Sequence, residues 1–221
     1  MQLTPPVPAR SKPLLYCPSC ASGVKSMHPD PIPETGVTMP VQSFHLAKHQ
    51  RARVWSGEYP DAPLGSGPVL GDSLAAGASE QAQAKTVAIE WLVPLGGYSM
   101  YALLGGTIRP QPDVVTLQVV TSPAPISKFE SCLGRDQAWF GLPEEFAPSA
   151  LEGMRSAAQS HQALPGAAVL CNLAAFTETG SSNLVFKVLG RAVVHLLLTP
   201  GTPDQSEIAS LLTLEPSAGP Q

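Results

Sequence analysis

Apolar and polar positions recur with the pattern of β-strands in three stretches of the chain. Residues 85–93 (KTVAIEWLV) are rich in Val, Ile and Trp, and residues 113–121 (DVVTLQVVT) are β-branched and bounded by proline. Ala167–Phe176 is a short apolar run (AAVLCNLAAF), which is typical of a mostly buried strand. The pattern therefore predicts a sheet to which all three stretches contribute.

A helix is predicted between the second and third of these strands. Pro148 suits its first turn, where a missing N–H loses no hydrogen bond, and Leu151, Met154 and Ala158 recur at helical spacing. Gly153 lies inside this helix and is a weak point, since it costs on the order of 1 kcal/mol relative to Ala.

A second helix, Asn183–Leu198, is predicted after the polar turn TETGSS, and either serine of this turn can cap it. Lys187, Arg191 and His195 lie at i, i+4 and i+8, so they form one polar stripe on an otherwise apolar helix. A basic stripe of this kind is usually a solvated face, and a binding role is the less favoured interpretation.

Proline and glycine divide the chain into segments. The chain has 24 Pro and 19 Gly, which are densest in the first 80 and last 20 positions, where they predict loops or disorder. We expect a Pro-rich N-terminal segment at 1–56, a flexible linker at 57–84, a folded domain at 85–198 and a disordered tail at 199–221. From residue 113 the predicted order is strand, loop, helix, strand, helix, and the predicted fold class is α+β, with a sheet and two helices.

Charge and hydropathy narrow the classes of function and location. The formal net charge of −4 counts against a protein that binds nucleic acid by charge alone. The most apolar segment, residues 184–198, carries three ionisable side chains and is shorter than the ~20 apolar residues of a membrane span, so no membrane partner is expected. No secretory signal is recognisable, and the basic residues before Asp30 are faintly similar to a transit peptide. We therefore expect an intracellular protein of the cytoplasm or the mitochondrion.

Two cysteines and two histidines follow the ligand order of a Cys₂His₂ zinc site. Cys17 and Cys20 form a Cys-x-x-Cys pair, and His45 and His49 would lie one turn apart on a helix predicted at residues 43–55. The separation between the two pairs is longer than the usual ~12–15 residues, so His28 could replace one ligand. The alternative interpretation is a loop with an isolated Cys-x-x-Cys beside a solvated basic helix.

The remaining cysteines and histidines indicate no catalytic site. Cys171 lies in an apolar strand and is most simply a small buried hydrophobic residue. His161, His195, Cys132 and Glu178 are isolated, and no motif joins a nucleophile to a base and an orienting group. We therefore do not expect an enzyme.

From about residue 85 to 198, the sequence resembles domain IV of the elongation factor G family of translational GTPases, including its mitochondrial members. The segment GLPEEFAPSALEGMRSA is similar to the family's GxIPxEYxPAVxxGI, with matches at Pro143, Glu144, Phe146, Pro148 and Gly153. The motif SSNLVFK at 181–187 resembles DSSELAFK, and Leu-Pro-Gly at 164–166 falls where the family has LAGYPV. Glycine pairs at 96–97 and 105–106 indicate turns, and the second pair resembles that of the family's first tip loop.

The resemblance implies a ribosomal protein S5 domain 2-like fold, with two helices on one face of a sheet. It implies contact with the ribosome or ribosomal RNA through two tip loops, as in a domain that imitates the anticodon arm of a tRNA. Carried over by position, the first loop supplies Gly105, Gly106, Thr107 and Arg109, and the second supplies Thr179, Gly180, Ser181 and Ser182.

Departures from the family limit what can be transferred. TETGSS is shorter than the family's GSYHDVDSS and has no histidine, and the sequence contains no GxxxxGK[ST] phosphate loop, so no GTP site is expected in this chain. The resemblance thus implies a fragment, an isoform or a diverged homologue that is not itself a GTPase. The alternative function is a protein-interaction module unrelated to translation, with a zinc-stabilised or disordered N-terminal arm.

Overall fold

The computed structural model describes residues 41–77, 82–131, 133, 137–161 and 164–214. These residues form nine strands and three helices, and the fold class is α+β. In chain order the elements are β1 (Gln42–His45), β2 (Arg51–Ser56), β3 (Val69–Ala75), β4 (Lys85–Leu95), β5 (Tyr98–Pro110), β6 (Val114–Val120), β7 (Lys128–Phe129), β8 (Ala138–Phe140), α1 (Ala147–Ser160), β9 (Ala167–Phe176), α2 (Asn183–Leu198) and α3 (Gln205–Leu211).

The strands form one curled, mostly antiparallel sheet in the order β1-β2-β4-β5-β9-β6-β3. Strand β9 lies near its centre, antiparallel to β5 and parallel to β6. The last two residues of β9 pair with β8, which in turn pairs with β7. The parallel pair needs a long crossover connection, and this connection contains α1.

The three helices pack on one face of the sheet, which we call the helix face. Helix α1 lies over β6 and β3, α2 lies over β5 and β4, and α3 contacts α2 and β1. Apolar side chains from all three helices join one large core with those of the sheet. The rings of Phe146 and Phe186 stack at 5.1 Å, which joins the start of α1 to α2. Two helices therefore lie side by side on the sheet, and a third closes its β1 end.

The other face of the sheet carries a smaller apolar core around Trp55, Leu103 and Phe140. The segment after β2 folds over this core, where Tyr59 donates a hydrogen bond to Asn172 Oδ1 at 3.0 Å. The backbone N–H of Gly65 donates to the carbonyl of Asn172 at 2.7 Å. Asn172 is the extra residue of a β-bulge in the β5–β9 pairing, so this segment is fixed at an irregular point of the sheet.

Two glycines allow α1 and α2 to approach each other closely. A Cβ atom on Gly153 would overlap the backbone carbonyl of Lys187, and a Cβ on Gly190 would overlap the carbonyl of Ala150. Each glycine therefore lies directly against the backbone of the other helix. Gly153, a weak point by helix propensity, is required for packing.

Several elements predicted from the sequence are confirmed. The three predicted strands correspond to β4, β6 and β9, and both predicted helices are present as α1 and α2. Ser182 caps α2, since its side chain accepts a hydrogen bond from the N–H of Val185 at 3.4 Å. Gly96 and Gly97 form the turn between β4 and β5. Cys171 is buried, and burial raises the pKa of its thiol to about 12, as expected of a residue that acts as a small hydrophobe.

The helix predicted at residues 43–55 is wrong. This region forms the hairpin of β1 and β2 around a tight turn at Ala47–His49. Phe44, Ala52 and Val54 occupy alternate positions and are buried against the helix-face core. These buried positions recur every two residues, which is the period of a strand, and the pairing of β2 with β4 favours strands over a helix here.

The predicted turn at Gly105 and Gly106 is also wrong, because both residues lie inside β5 and are buried. A Cβ on Gly105 would come within 2.9 Å of the Tyr59 ring, and a Cβ on Gly106 within 2.9 Å of Cys171 Sγ. These glycines are needed for close packing on the two faces of the sheet and not for a change of chain direction.

The segments expected to be a flexible linker and a disordered tail contain regular structure. Within 57–84, β3 pairs with β6 along seven residues and forms an edge of the sheet. Within 199–221, α3 buries Ile208 in the core, and Asp204 caps this helix by accepting from the N–H of Glu207 at 2.9 Å.

The polar stripe of α2 contacts other elements and is not simply solvated. Lys187 Nζ pairs with Glu152 of α1 at 2.7 Å, and His195 Nε2 lies 3.2 Å from Glu207 of α3. Arg191 donates to the carbonyls of Leu211 and Thr213 at 3.2 and 3.3 Å. The stripe therefore helps to hold α1 and α3 against α2.

We expect Gly153→Ala and Gly190→Ala each to lower the free energy of unfolding by about 3 kcal/mol or more, because the added methyl group forces two helix backbones apart. Gly97→Ala is the control: Gly97 lies in open space with no positive φ, and its substitution should change stability by less than about 0.5 kcal/mol. Urea unfolding monitored by circular dichroism measures all three. Equal stability of the three variants would contradict the close helix contact.

Candidate nucleic-acid interface

The first predicted tip loop is not a loop in the structure. Gly105 and Gly106 are buried in β5, Thr107 is half-buried, and Arg109 is exposed near the end of the strand. Of these four residues, Arg109 has the exposure and charge to contact a phosphate. The prediction that Gly105, Gly106 and Thr107 form an RNA-contacting loop is therefore wrong, because all three lie within β5.

The second predicted loop is a turn between β9 and α2, but most of its groups bond within the protein. Gly180 is buried, and its carbonyl accepts from the N–H of Tyr101 at 3.0 Å. Ser181 donates to the carbonyl of Tyr101 at 2.6 Å, and Ser182 is the cap of α2. Thr179 remains exposed. The turn is thus primarily a structural connection.

The structure does not bring the two predicted loops together. The turn contacts Tyr101, near the start of β5, whereas Arg109 pairs with Ala168 near the far end of that strand. Glu178 is the charged residue of the turn, and it would repel phosphate. These residues therefore do not form one nucleic-acid site.

The predicted zinc ligands are only partly within the described residues. Cys17 and Cys20 lie outside them. His45 is an exposed residue of β1 and His49 an exposed residue of the following turn, so they are not paired on a helix face. Within residues 41–77, 82–131, 133, 137–161 and 164–214, no group of three or more His, Cys, Asp or Glu side chains could hold a metal ion. The Cys₂His₂ site stays a prediction.

The β1–β2 hairpin, residues 42–56, concentrates positive charge, and we call it the basic ribbon. Lys48, Arg51 and Arg53 fall within it, together with His45 and His49, and the sequence has no Asp or Glu between residues 41 and 57. The ribbon forms one edge of the sheet. A local positive surface therefore exists in a chain whose net charge is −4.

The turn of the basic ribbon displays two of these side chains in a strained conformation. Lys48 and His49 both have positive φ, at 57° and 62°, and the N–H of Gln50 donates to the carbonyl of Ala47. Two central residues with positive φ define a type I′ turn, for which Asn-Gly is the favoured sequence. Residues with side chains that hold such strained conformations cluster at functional sites, although type I′ turns are also common hairpin connections. Both side chains are exposed.

Arg51 and Arg53 lie on the face of the ribbon away from the helices. Alternation places them there, because Ala52 and Val54 are buried on the helix face. The guanidinium of Arg53 lies over the ring of Trp55, with 5.7 Å to the ring centroid. Both arginine side chains are half-buried, so each can present part of its guanidinium to a ligand.

A buried carboxylate lies beneath these arginines. Glu90 is directly across from Arg53 in the β2–β4 pairing and is 0% exposed. Its Oε1 accepts from Ser131 at 2.6 Å and from Tyr101 at 3.0 Å. Burial raises the pKa of Glu90, against the opposite effects of the two hydrogen bonds and the arginines. Among the described residues, Oε2 of Glu90 and Nε of Arg53 are buried and have no hydrogen-bond partner.

The basic ribbon combines the groups that bind nucleic acid without sequence preference. It has cationic side chains that can contact phosphates, and the guanidinium of Arg53 lies over the ring of the buried Trp55. The basic ribbon was not predicted from the sequence, because residues 43–55 were predicted to form a helix. The alternation in RARVW and the lack of acidic residues around it were the signals that could have revealed it.

Comparison with known proteins assigns no family to the chain: no model of a known protein family matches it, and neither does any curated protein. Among the described residues, no helix is long and apolar enough to cross a membrane.

We expect replacement of Lys48-His49 by Asn-Gly to raise the free energy of unfolding by about 1 kcal/mol, because a left-handed conformation costs roughly 1–2 kcal/mol per residue with a side chain. Lys48→Gln removes the same charge but keeps the strain, so it should give no such gain. Denaturant unfolding compares the two, and a result in which the Asn-Gly variant is no more stable than Lys48→Gln would contradict the strained turn.

We expect Glu90 to make stability depend on pH. Because its pKa is higher in the folded chain, the folded state binds more protons above pH 4.5, the ordinary value of this group. Its contribution to stability is therefore complete at low pH and is lost as pH rises through the raised pKa. Glu90→Gln should lack this loss and be more stable at neutral pH, whereas Glu152→Gln, on the exposed surface, should keep it. Melting temperatures across the pH range test this, and parallel pH profiles for wild type and Glu90→Gln would contradict it.

Proposed function

We propose that this chain is an RNA-contacting module of the translation apparatus that binds ribosomal RNA through the basic ribbon. The observation that carries the proposal is the ribbon itself: the exposed Lys48 and the half-buried Arg51 and Arg53 lie on one hairpin that contains no acidic residue, with the buried Glu90 across from Arg53 on β4. The module has no phosphate loop, and binding rather than GTP hydrolysis is its role.

The arrangement of the later elements supports the translational part of the proposal. Resemblance to domain IV of elongation factor G implies a sheet with two helices side by side on one face, and α1 and α2 pack in this way. The order α1, β9, α2 after β6, with the short strands β7 and β8 in the connection between β6 and α1, also agrees with that resemblance. We propose on these grounds that the fold is similar to that of ribosomal protein S5 domain 2.

Electrostatics favours the basic ribbon over the tip loops as the contact surface. The turn between β9 and α2 contributes Glu178 and no cation. The ribbon can neutralise several phosphates, and its affinity should therefore fall steeply as salt displaces it from RNA. A net charge of −4 disfavours binding of a polyanion by the surface as a whole, which favours a local basic segment such as the ribbon as the contact.

We expect the full chain to sediment with ribosomes and to bind a fluorescent single-stranded RNA at low salt. Substitution of Lys48, Arg51 and Arg53 by Gln should remove about two units from the slope of log affinity against log salt, since each phosphate contact on a single strand contributes ~0.7. Lys187→Gln removes a charge from α2 and should leave the slope unchanged. Arg109→Gln separately tests the loop position implied by the family resemblance.

Two outcomes would contradict the proposal. Failure to bind RNA or ribosomes at any salt concentration would remove RNA contact altogether. An unchanged slope in the triple variant, with a reduced slope in Arg109→Gln, would move the contact to the end of β5. Melting curves of each variant show whether it is folded, and Thr177–Ser182 is kept intact because its deletion would remove the cap of α2.

A further inference from the structure

A second surface lies at the end of β9, which β4 and β5 separate from the basic ribbon, and it is acidic where the ribbon is basic. A cleft of about 340 Å³ opens between the loop after β6 and the segment before α1, at the end of β9. Its walls include Pro123, Pro125, Pro143 and Phe176, and its rim carries Glu144 and Glu145. We call it the proline cleft.

Backbone hydrogen bonds hold the walls of the proline cleft in place. The N–H of Ser122 donates to the carbonyl of Leu142, and that of Ile126 donates to the carbonyl of Phe140, both at 2.8 Å. Gly141, with φ of 116°, allows the tight course of this segment beside Ser122. Three prolines further restrict the backbone. The cleft is therefore preformed and loses little entropy when a ligand enters it.

The carboxylates of Glu144 and Glu145 are free to act on a ligand. Both side chains are exposed, and neither makes a hydrogen bond or ion pair with any residue that the structure describes. The positive end of α1 attracts them only weakly at this exposed position. Lys128 of β7 lies over the ring of Trp139, with 5.6 Å from its Nζ to the ring centroid. Trp139 is the cross-strand neighbour of Phe176, so this surface already accommodates one cation on an aromatic ring.

We propose that the proline cleft binds an arginine side chain carried by an extended segment of a partner protein. The hydrocarbon stem and the flat guanidinium match proline and phenylalanine surfaces, and the two carboxylates match the fork of N–H donors. The same carboxylates repel phosphate, so RNA and anionic lipid do not fit this cleft. The protein would then bind RNA with one part of its sheet and a protein with another.

The experiment titrates the ¹⁵N-labelled full chain with a blocked pentapeptide, Ala-Pro-Arg-Pro-Ala, and follows amide shifts. A second peptide carries citrulline in place of arginine, which keeps the shape of the side chain and removes its charge. We expect saturable shifts confined to the amides of Ser122, Ala124, Ile126, Glu144, Glu145, Phe146 and Phe176, and an affinity at least about tenfold lower for the citrulline peptide. Equal affinity for the two peptides, or no saturable shift, would overturn the proposal.

Variants separate the cleft from general electrostatic attraction. The double variant Glu144→Gln/Glu145→Gln should lose about tenfold or more in affinity for the arginine peptide, whereas Glu178→Gln, an exposed carboxylate outside the cleft, should not. Equal losses in both would overturn the proposal, and so would shifts in the cleft that depend on protein concentration without peptide, which would identify a second copy as the occupant. RNA binding by the double variant should be unchanged, so failure here is distinguishable from failure of the proposed RNA contact.

Discussion

The rest of the structure depends on the contact between the backbones of α1 and α2 at Gly153 and Gly190. Each glycine lies against a carbonyl of the other helix, so the two helices are as close as their backbones allow. This spacing lets α1 cover β6 and β3 while α2 covers β5 and β4. With larger residues at the crossing, the helices would spread and the apolar strands beneath would be exposed. A pair of residues with no side chain thus determines how the widest part of the sheet is buried.

The three helices cover the helix face, and the two surfaces for which we propose binding lie at the hairpin edge and at the end of β9. Helix α3 completes the closure, and the α2 side chains Arg191 and His195 hold it at the edge where β1 lies. The basic ribbon is therefore supported by a core on its helix side, while its arginines face away from it. A ribbon supported in this way can maintain a strained turn, because its register with β4 fixes the ends of the turn.

Features of the fold that depend on neighbouring residues in the sequence could be predicted, whereas features that depend on contacts with a distant element could not. Strands β4, β6 and β9 and helices α1 and α2 follow from local period and capping, and these were predicted. The function of Gly153 was not, because it requires the carbonyl of Lys187 on another element. In the β1–β2 hairpin, Ser43 at a capping position and His45 and His49 at helical spacing predicted a helix. The pairing of β2 with β4 outweighs this local preference. Helix α3 is short, and the burial of Ile208 depends on the packing of α3 against α2 and β1, which are distant in the sequence.

The same reasoning explains why the predicted loop residues and the proposed contact surface differ. A family resemblance matches positions along two sequences. Matched positions indicate the packing of the core better than they indicate the charge of the loops. Gly105 and Gly180 are buried here, while the cations of the proposed contact, Lys48, Arg51 and Arg53, lie in β2 and the turn before it, ahead of the residues that resemble the family. Affinity for a polyanion is set by where positive charge is exposed and not by which loop occupies a family position. The function that we propose therefore combines the helix-covered body that the resemblance implies with an RNA contact on a hairpin at the edge of the sheet.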